Sequence, residues 1–249
     1  MPVAPSVLKS IKAVRKAITS PDPNDRHQLG LYRALCKLFQ KSDEITANLE
    51  SIEALLELAA EIESFRGKGS QMTANEFARS ISSLTYPLKE RLPQSEIDPD
   101  RFMKEAEVPA SAKDVIDCLE RLSAHAFSGT QGPPVRSIHA GEIRSVAWNT
   151  LKRISEILRR PEHLAHALKV AADPRASSRE RQGTIGFLVA YWEGKEPDEP
   201  TANLLRELEK NPTDRTFLVT VLQAQIDLGL GSEFGALDAV EDWDDAHDD

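Results

Sequence analysis

The sequence predicts an all-α protein built of αα-hairpins, as a helical bundle or a short α-solenoid, with a flexible acidic C-terminal tail. Three observations support this fold class. Apolar residues recur at spacings of three and four along most of the chain. Helix-start signals precede many of these apolar segments, and breaks containing Pro or Gly separate them. The 249 residues suffice for one large domain or two small ones with buried cores.

The N-terminal helical region, residues 1–127, contains several helix starts. Ser6 follows two prolines and suits the start of a first helix. The clearest helix begins at the N-cap Ser42, because apolar residues then recur on one face at Ile45, Leu49, Ile52, Leu56 and Ala59. Further starts are predicted at the capping box of Thr73 and Glu76, at Asp98 before Pro99, and at the N-cap Ser111.

The segment SGTQGPP, residues 128–134, holds two glycines and two prolines, so a linker is expected at residues 128–136. Beyond it, C-terminal helical hairpins are expected over residues 137–230. Their helices are predicted near residues 138–160, 161–172, 178–193, 201–210 and 214–229.

Two apolar segments of this region, TIGFLVAYW at 184–192 and TFLVTVL at 216–222, have the composition of buried strands. Each follows a helix-start signal, which is the capping box of Ser177 and Glu180 in the first case and PTD at 212–214 in the second. Helices are therefore predicted for both segments.

Two hairpins share one plan, in which an apolar helix, an Asp-Pro or Asn-Pro step and a second apolar helix follow each other. Pro174 and Pro212 lie 38 residues apart, close to the period of HEAT-type repeats. Any bundle of αα-hairpins would show a similar pattern. A HEAT-like α-solenoid and a bundle are therefore both compatible with the sequence.

The charges are segregated along the chain. There are 31 basic and 40 acidic residues, a net charge of −9, and eight of the acidic residues lie in the last 17 positions, which contain no Lys or Arg. Residues 136–182 carry ten basic and five acidic residues. The acidic tail, residues 231–249, is expected to lack fixed structure until a partner binds.

No catalytic signature was found in the sequence. It has no phosphate-binding glycine loop, nucleophile elbow, H-E-x-x-H helix or paired C-x-x-C. Cys36 and Cys118 are interpreted as buried thiols of a reducing compartment. His163 and His166 lie three residues apart, but zinc requires at least three protein ligands. We therefore predict no enzyme activity, cofactor or metal.

A cytoplasmic location and no contact with a membrane are expected, because no apolar run approaches about 20 residues. The N-terminal segment is basic and free of acidic residues up to Asp22, a pattern that mitochondrial presequences share.

Two surfaces are candidates for binding a partner. Arg144, Trp148 and Lys152 follow each other at four-residue steps, so an aromatic ring between cations could stack a base or receive an acidic peptide. In the tail, Phe234, Leu237, Val240 and Trp243 recur every three residues and would spread over half the circumference of a helix. The candidate partner-binding residues are Phe234, Leu237, Trp243, Asp244, Asp245, Arg144, Trp148 and Lys152.

The sequence favours a non-enzymatic protein–protein interaction protein: an adaptor, inhibitor or regulatory subunit. Its helical body and its acidic-aromatic tail would bind a protein partner that has a basic surface. One alternative is a nucleic-acid-binding regulator that uses basic faces around residues 7–16 and 136–182. A second alternative is an enzyme with an unrecognised helical active site.

Overall fold

A computed structural model describes residues 2–20, 29–45, 49–67, 85, 88–89, 92, 108–128 and 138–247. The described residues form eleven helices and no β-strand, so the prediction of an all-α fold is confirmed, whereas a HEAT-like repeat is not. The helices are α1 (Pro5–Thr19), α2 (Leu29–Phe39), α3 (Ser42–Ile45), α4 (Leu49–Gly67), α5 (Ala110–Ser128), α6 (Ile138–Ser155), α7 (Pro161–Ala172), α8 (Ser178–Trp192), α9 (Glu199–Lys210), α10 (Arg215–Asp227) and α11 (Glu233–His247).

The chain forms two compact units. Unit 1 comprises residues 1–94 and 105–150, and unit 2 comprises residues 95–104 and 151–249. The boundary between Thr150 and Leu151 falls inside α6. The predicted linker at 128–136 lies, except for the backbone of Ser128, outside the described residues, as do the helix starts predicted at Thr73 and Asp98.

In unit 1, α1 packs against α2 and α4, and α4 packs against α5. The apolar stripe predicted for the helix after Ser42 is buried at each position whose side chain is described, namely Ile45, Ile52, Leu56 and Ala59. On α1 the buried positions alternate with exposed ones at helical spacing, so that Val7, Ile11 and Val14 face the core. Arg15, at the edge of this face, forms a bidentate ion pair with Glu61 of α4.

In unit 2, α8 packs against α7 and α10, while α9 packs against α7 and α10. These four helices share one apolar core, made of Ala171, Ile185, Leu205, Leu208, Phe217, Val221 and Ala224. Both strand-like segments are helical, as predicted. Ser177 Oγ accepts a hydrogen bond from the backbone N–H of Glu180, and Asp214 Oδ1 accepts one from Phe217 at 2.8 Å. These caps satisfy amides that would otherwise lack a partner.

A buried arginine ties three of these helices together. Arg181 of α8 donates from Nε to the carbonyl oxygen of Ala171 at 3.1 Å, and its guanidinium lies 4.3 Å from the ring centroid of Phe217. Burial lowers the pKa of Arg181, which the carboxylates of Asp173 and Asp214 partly offset. The desolvated guanidinium of Arg181 thus forms a cation–π interaction with the ring of Phe217.

The helix ends differ from the predicted ones where a capping group was not recognised. The helix predicted at 201–210 begins at Glu199, because Asp198 accepts a hydrogen bond from the backbone N–H of Thr201. The helix predicted to begin after Ser111 begins at Ala110, because the carbonyl of Pro109 accepts the first helical bonds. The helix predicted near 138–160 ends at Ser155 and is followed by a turn.

The end of α10 sets the start of α11. Gly229 has φ +69°, the left-handed conformation that a side chain disfavours, and its N–H donates to the carbonyl of Ile226. The N–H of Leu230 donates to the carbonyl of Gln225, which completes a Schellman motif. Leu228 and Leu230 pack on the apolar core of unit 2. This turn directs the chain back along α10.

Candidate protein-interaction surface

The acidic C-terminal segment forms helix α11, where the sequence predicted a tail without fixed structure. The hydroxyl of Ser232 accepts a hydrogen bond from the N–H of Gly235 at 3.2 Å, so Ser232 caps the helix. Glu233 lies in the first turn, where a negative charge favours the positive end of the helix dipole. The prediction rested on the acidic composition of the segment and did not include this cap.

One face of α11 packs against α10. Its half-buried residues recur at helical spacing and are Ala236, Ala239, Val240, Trp243 and Asp244. Asp244 pairs with Arg215 of α10, since the Arg215 Nε lies 2.8 Å from one carboxylate oxygen and 3.2 Å from the other. This hydrogen bond raises the pKa of Arg215. Arg215 lies outside the basic segment 136–182.

The opposite face of α11 is exposed and combines large apolar side chains with acidic ones. Phe234 is 83% exposed and Leu237 is 61% exposed. Asp238, Glu241 and Asp242 are also exposed, and none forms an ion pair with a described residue. We call these five residues the acidic ridge. Among the described residues, the other large hydrophobic side chains classed as exposed are Leu8 at 38% and Val219 at 42%.

The four apolar residues of the tail divide between these two faces. Phe234 and Leu237 are exposed, whereas Val240 and Trp243 are half-buried. Their three-residue spacing rotates them by about 60° per step, which carries the second pair towards α10. Trp243 and Asp244, predicted as partner-binding residues, therefore lie on the face that packs within this chain. The side chain of Asp245 lies outside the described residues.

The face predicted around Trp148 is not formed on the surface. Trp148 is fully buried, and its ring meets that of Phe127 edge-on with centroids 5.3 Å apart. Arg144 and Lys152 are half-buried on the same helix, α6. In this arrangement the indole cannot stack on a base or receive a peptide, because no part of it is accessible. The four-residue spacing of Arg144, Trp148 and Lys152 suggested a surface face, but Trp148 occupies a core position of α6.

Several other cations of segment 136–182 interact within the chain itself. Arg153 pairs with Glu156 at 2.6 Å, and Arg175 pairs with Asp173 at 3.0 Å. Arg159 donates to the carbonyl oxygen of Glu193, and burial lowers its pKa to about 10. With the buried Arg181 included, at least four of the ten basic side chains of this segment are therefore held by contacts within the chain.

The other predicted basic face, around residues 7–16, is largely exposed. Lys9, Lys12 and Lys16 of α1 are exposed at helical spacing, and none forms an ion pair with a described residue. We call these three residues the basic ridge. Arg15 is separate from it, because its guanidinium is held by Glu61 at 2.6 Å.

Both cysteines are free thiols. Cys118 is buried, and burial together with the charge of Glu53 raises its pKa to about 12, while Cys36 is half-buried. No three His, Cys, Asp or Glu side chains among the described residues lie close enough to hold a metal ion. A wide-open depression of about 330 Å³ is lined by Arg15, Lys16, Ile18, Thr19 and Glu61. No helix of the described part is long and apolar enough to span a membrane.

The chain matches no protein-family model, and no curated protein and no solved structure shows significant similarity to it.

Proposed function

We propose that this chain is a non-enzymatic protein–protein interaction protein, and that the acidic ridge of α11 is the surface that binds its partner. The observation that carries the proposal is the exposure of Phe234 and Leu237, three residues apart on one face of a helix. In the described parts of both units, almost all other large apolar side chains are buried or half-buried.

Burial of Phe234 and Leu237 would make the main favourable contribution to binding. Full burial of a Phe or Leu side chain is worth about 1.5–3 kcal/mol relative to exposure to water. Two neighbouring side chains on a helix can insert together into a groove, as amphipathic helices do when they bind a partner. Phe234 and Leu237 would therefore supply most of the affinity.

The acidic side chains define the chemistry of the partner. Asp238, Glu241 and Asp242 lie beside the apolar pair, so a favourable groove is apolar at its centre and basic at its rim. Opposite charges at the rim raise the association rate and depend on salt, whereas the apolar contact sets the lifetime of the complex. The partner would be a protein with a basic surface, in keeping with an adaptor, an inhibitor or a regulatory subunit.

The test is a quantitative capture from native lysate with the full chain and with Phe234→Ala/Leu237→Ala. The partner bound by the wild type should be depleted at least about tenfold by the double substitution, since 1.4 kcal/mol corresponds to a factor of ten. Val219→Ala, which removes an exposed apolar side chain from α10, is the control and should retain the partner. Equal capture by the double variant and the wild type would contradict the proposal.

A second variant tests the acidic part of the ridge. Asp238→Asn/Glu241→Gln/Asp242→Asn keeps the shape of the side chains and removes three charges. The captured partner should bind this variant more slowly and with a weaker dependence on salt, as measured by surface plasmon resonance. An unchanged association rate would show that the carboxylates do not face the partner.

A further inference from the structure

The chain carries its own candidate for a basic receptor surface. The basic ridge of Lys9, Lys12 and Lys16 lies on one exposed face of α1, and the helix contains no acidic residue. The acidic ridge lies on one exposed face of α11, and that helix contains no Lys or Arg. Both sets of charges lack an ion-pair partner among the described residues.

The two ridges are also similar in length and in apolar character. Lys9, Lys12 and Lys16 extend over about 10 Å of helix, and an α-helix rises about 1.5 Å per residue. The acidic ridge extends over about 12 Å from Phe234 to Asp242, and its three carboxylates occupy about 6 Å of that length. Leu8, which is 38% exposed, lies one turn before Lys12 and gives Phe234 and Leu237 an apolar surface to contact.

We propose that the acidic ridge of α11 binds the basic ridge of α1 in a second copy of this chain, so that copies associate head to tail. This inference rests on the proposed function, because it assigns the partner of the same ridge. A pairing of α11 with α11 is disfavoured, since it would bring like charges together. The pairing of α1 with α11 brings together opposite charges on both helices.

The geometry predicts the form of the assembly. Each copy has one basic and one acidic ridge, so the contact is heterologous and produces either a closed ring or an open chain of copies. A contact limited to one helix face on each partner is small and belongs to the weak class of interfaces. Association should therefore depend strongly on protein concentration and should be suppressed by salt.

The test uses analytical ultracentrifugation of the full chain over a range of concentrations. At low salt the weight-average mass should rise to at least about twice the monomer mass of 27.6 kDa, because each copy has two ridges. At about 1 M salt, where the Debye length is about 3 Å, it should return to the monomer mass. A monomer at every concentration would overturn the inference.

Two charge reversals make the test specific. Variant A is Lys9→Glu/Lys12→Glu/Lys16→Glu, and variant B is Asp238→Lys/Glu241→Lys/Asp242→Lys. Each variant alone has two ridges of the same sign and should stay monomeric. An equal mixture of A and B should associate again, because the acidic α1 of A faces the basic α11 of B and the acidic α11 of A faces the basic α1 of B. A mixture that stays monomeric would contradict the inference.

The matched control is Arg33→Glu/Lys37→Glu/Arg179→Glu. These three cations are also exposed, so the net charge changes as in variant A while both ridges remain intact. The control should self-associate like the wild type, and loss of association would point to net charge instead of the ridges. Circular dichroism should show unchanged helix content in all variants, since every substituted side chain is exposed.

The outcomes separate this inference from the proposed function. A monomeric chain that captures another protein through Phe234 and Leu237 would overturn self-association only. If the Phe234→Ala/Leu237→Ala variant self-associates as well as the wild type, this would contradict a role for the apolar pair both in self-association and in the proposed function. Self-association that requires the apolar pair and both charged ridges would support the inference.

Discussion

At the scale of single residues, Asp214 combines two stabilising contacts. Its carboxylate caps α10 through the N–H of Phe217 at 2.8 Å and accepts a hydrogen bond from Ser178 of α8 at 2.9 Å. Burial would raise the pKa of Asp214, but the hydrogen bonds from Phe217, Ser178 and Thr213 outweigh it, and the pKa is lowered. The native state therefore favours the charged carboxylate.

Asp214→Ala should lower the free energy of unfolding by about 1–2 kcal/mol, because it removes an N-cap. Asp214→Asn should cost less, since the amide oxygen can still cap the helix. The difference between wild type and Asp214→Asn should be largest above the unfolded pKa of about 3.9 and should vanish as the pH falls through the lowered native pKa. Urea unfolding at several pH values measures this, and a constant difference down to the lowest pH would contradict it.

The cysteines should differ in reactivity. The thiolate is the reactive form, and burial raises the pKa of Cys118 to about 12. Iodoacetamide at pH 8 should therefore modify Cys118 at least about 100-fold more slowly than an exposed thiol of pKa about 8.5, and Cys36 should react first. Mass spectrometry of the labelled peptides gives both rates. Unfolded protein, in which both residues should react alike, is the control, and equal rates in the native protein would be inconsistent with the buried position.

At the scale of helices, two glycines have opposite roles. Gly186 lies inside α8, and a Cβ built there meets nothing within 4 Å. Gly229 ends α10 with φ +69°, where a side chain is strained.

Gly186→Ala should raise the free energy of unfolding by about 0.5–1 kcal/mol, because Ala has the higher helix propensity. Gly229→Ala should lower it by about 1–2 kcal/mol, because the left-handed conformation is unfavourable for Ala. Denaturant titration of the two variants measures both effects. A change of the same sign in both would contradict the assigned helix interior and helix end.

Helix α11 should be the least protected helix of unit 2. It packs against α10, and none of its residues with a described side chain belongs to the apolar core of the unit. Hydrogen exchange of residues 233–247 should be faster than that of α8 and α10. Arg215→Ala should accelerate exchange in α11 further while leaving α8 unchanged, since it removes the pair with Asp244. Equal protection of α8 and α11 would show that α11 opens only with the whole unit.

The sequence contained more information about the helices than about the surface. Local signals such as the capping box of Ser177 and Glu180 predicted helices that the structure has, even in segments with strand-like composition. The cap at Ser232 is equally local but was not recognised in a segment of tail-like composition. Trp148 was misplaced for a different reason, because the sequence next to a tryptophan does not say whether another helix covers it.

The candidate site was predicted in part. The acidic-aromatic character of residues 233–249 was evident from the composition, and Phe234 and Leu237 are exposed as a binding role requires. Which side of the segment packs on α10 depends on the turn at Gly229 and on the Arg215–Asp244 pair. Contacts of this kind join distant positions and have no periodic signal in the sequence.

At the scale of the whole molecule, charge is distributed in a way that suits recognition. The net charge is −9, but the last 17 residues hold eight acidic and no basic side chains except for His247. The helix α1 carries four cations and no acidic residue. Such segregation lets oppositely charged surfaces attract each other over roughly a Debye length of about 8 Å at physiological salt.

The central claim is that Phe234 contacts a protein partner. Replacement of Phe234 by the photo-crosslinking residue p-benzoylphenylalanine, in the full chain, tests this most directly. Irradiation of native lysate should link position 234 to one or a few defined proteins, including a second copy of the chain, and salt should reduce the yield. The same residue at position 219 of α10 should give no such product. Equal crosslinking from both positions, or none from position 234, would contradict the account.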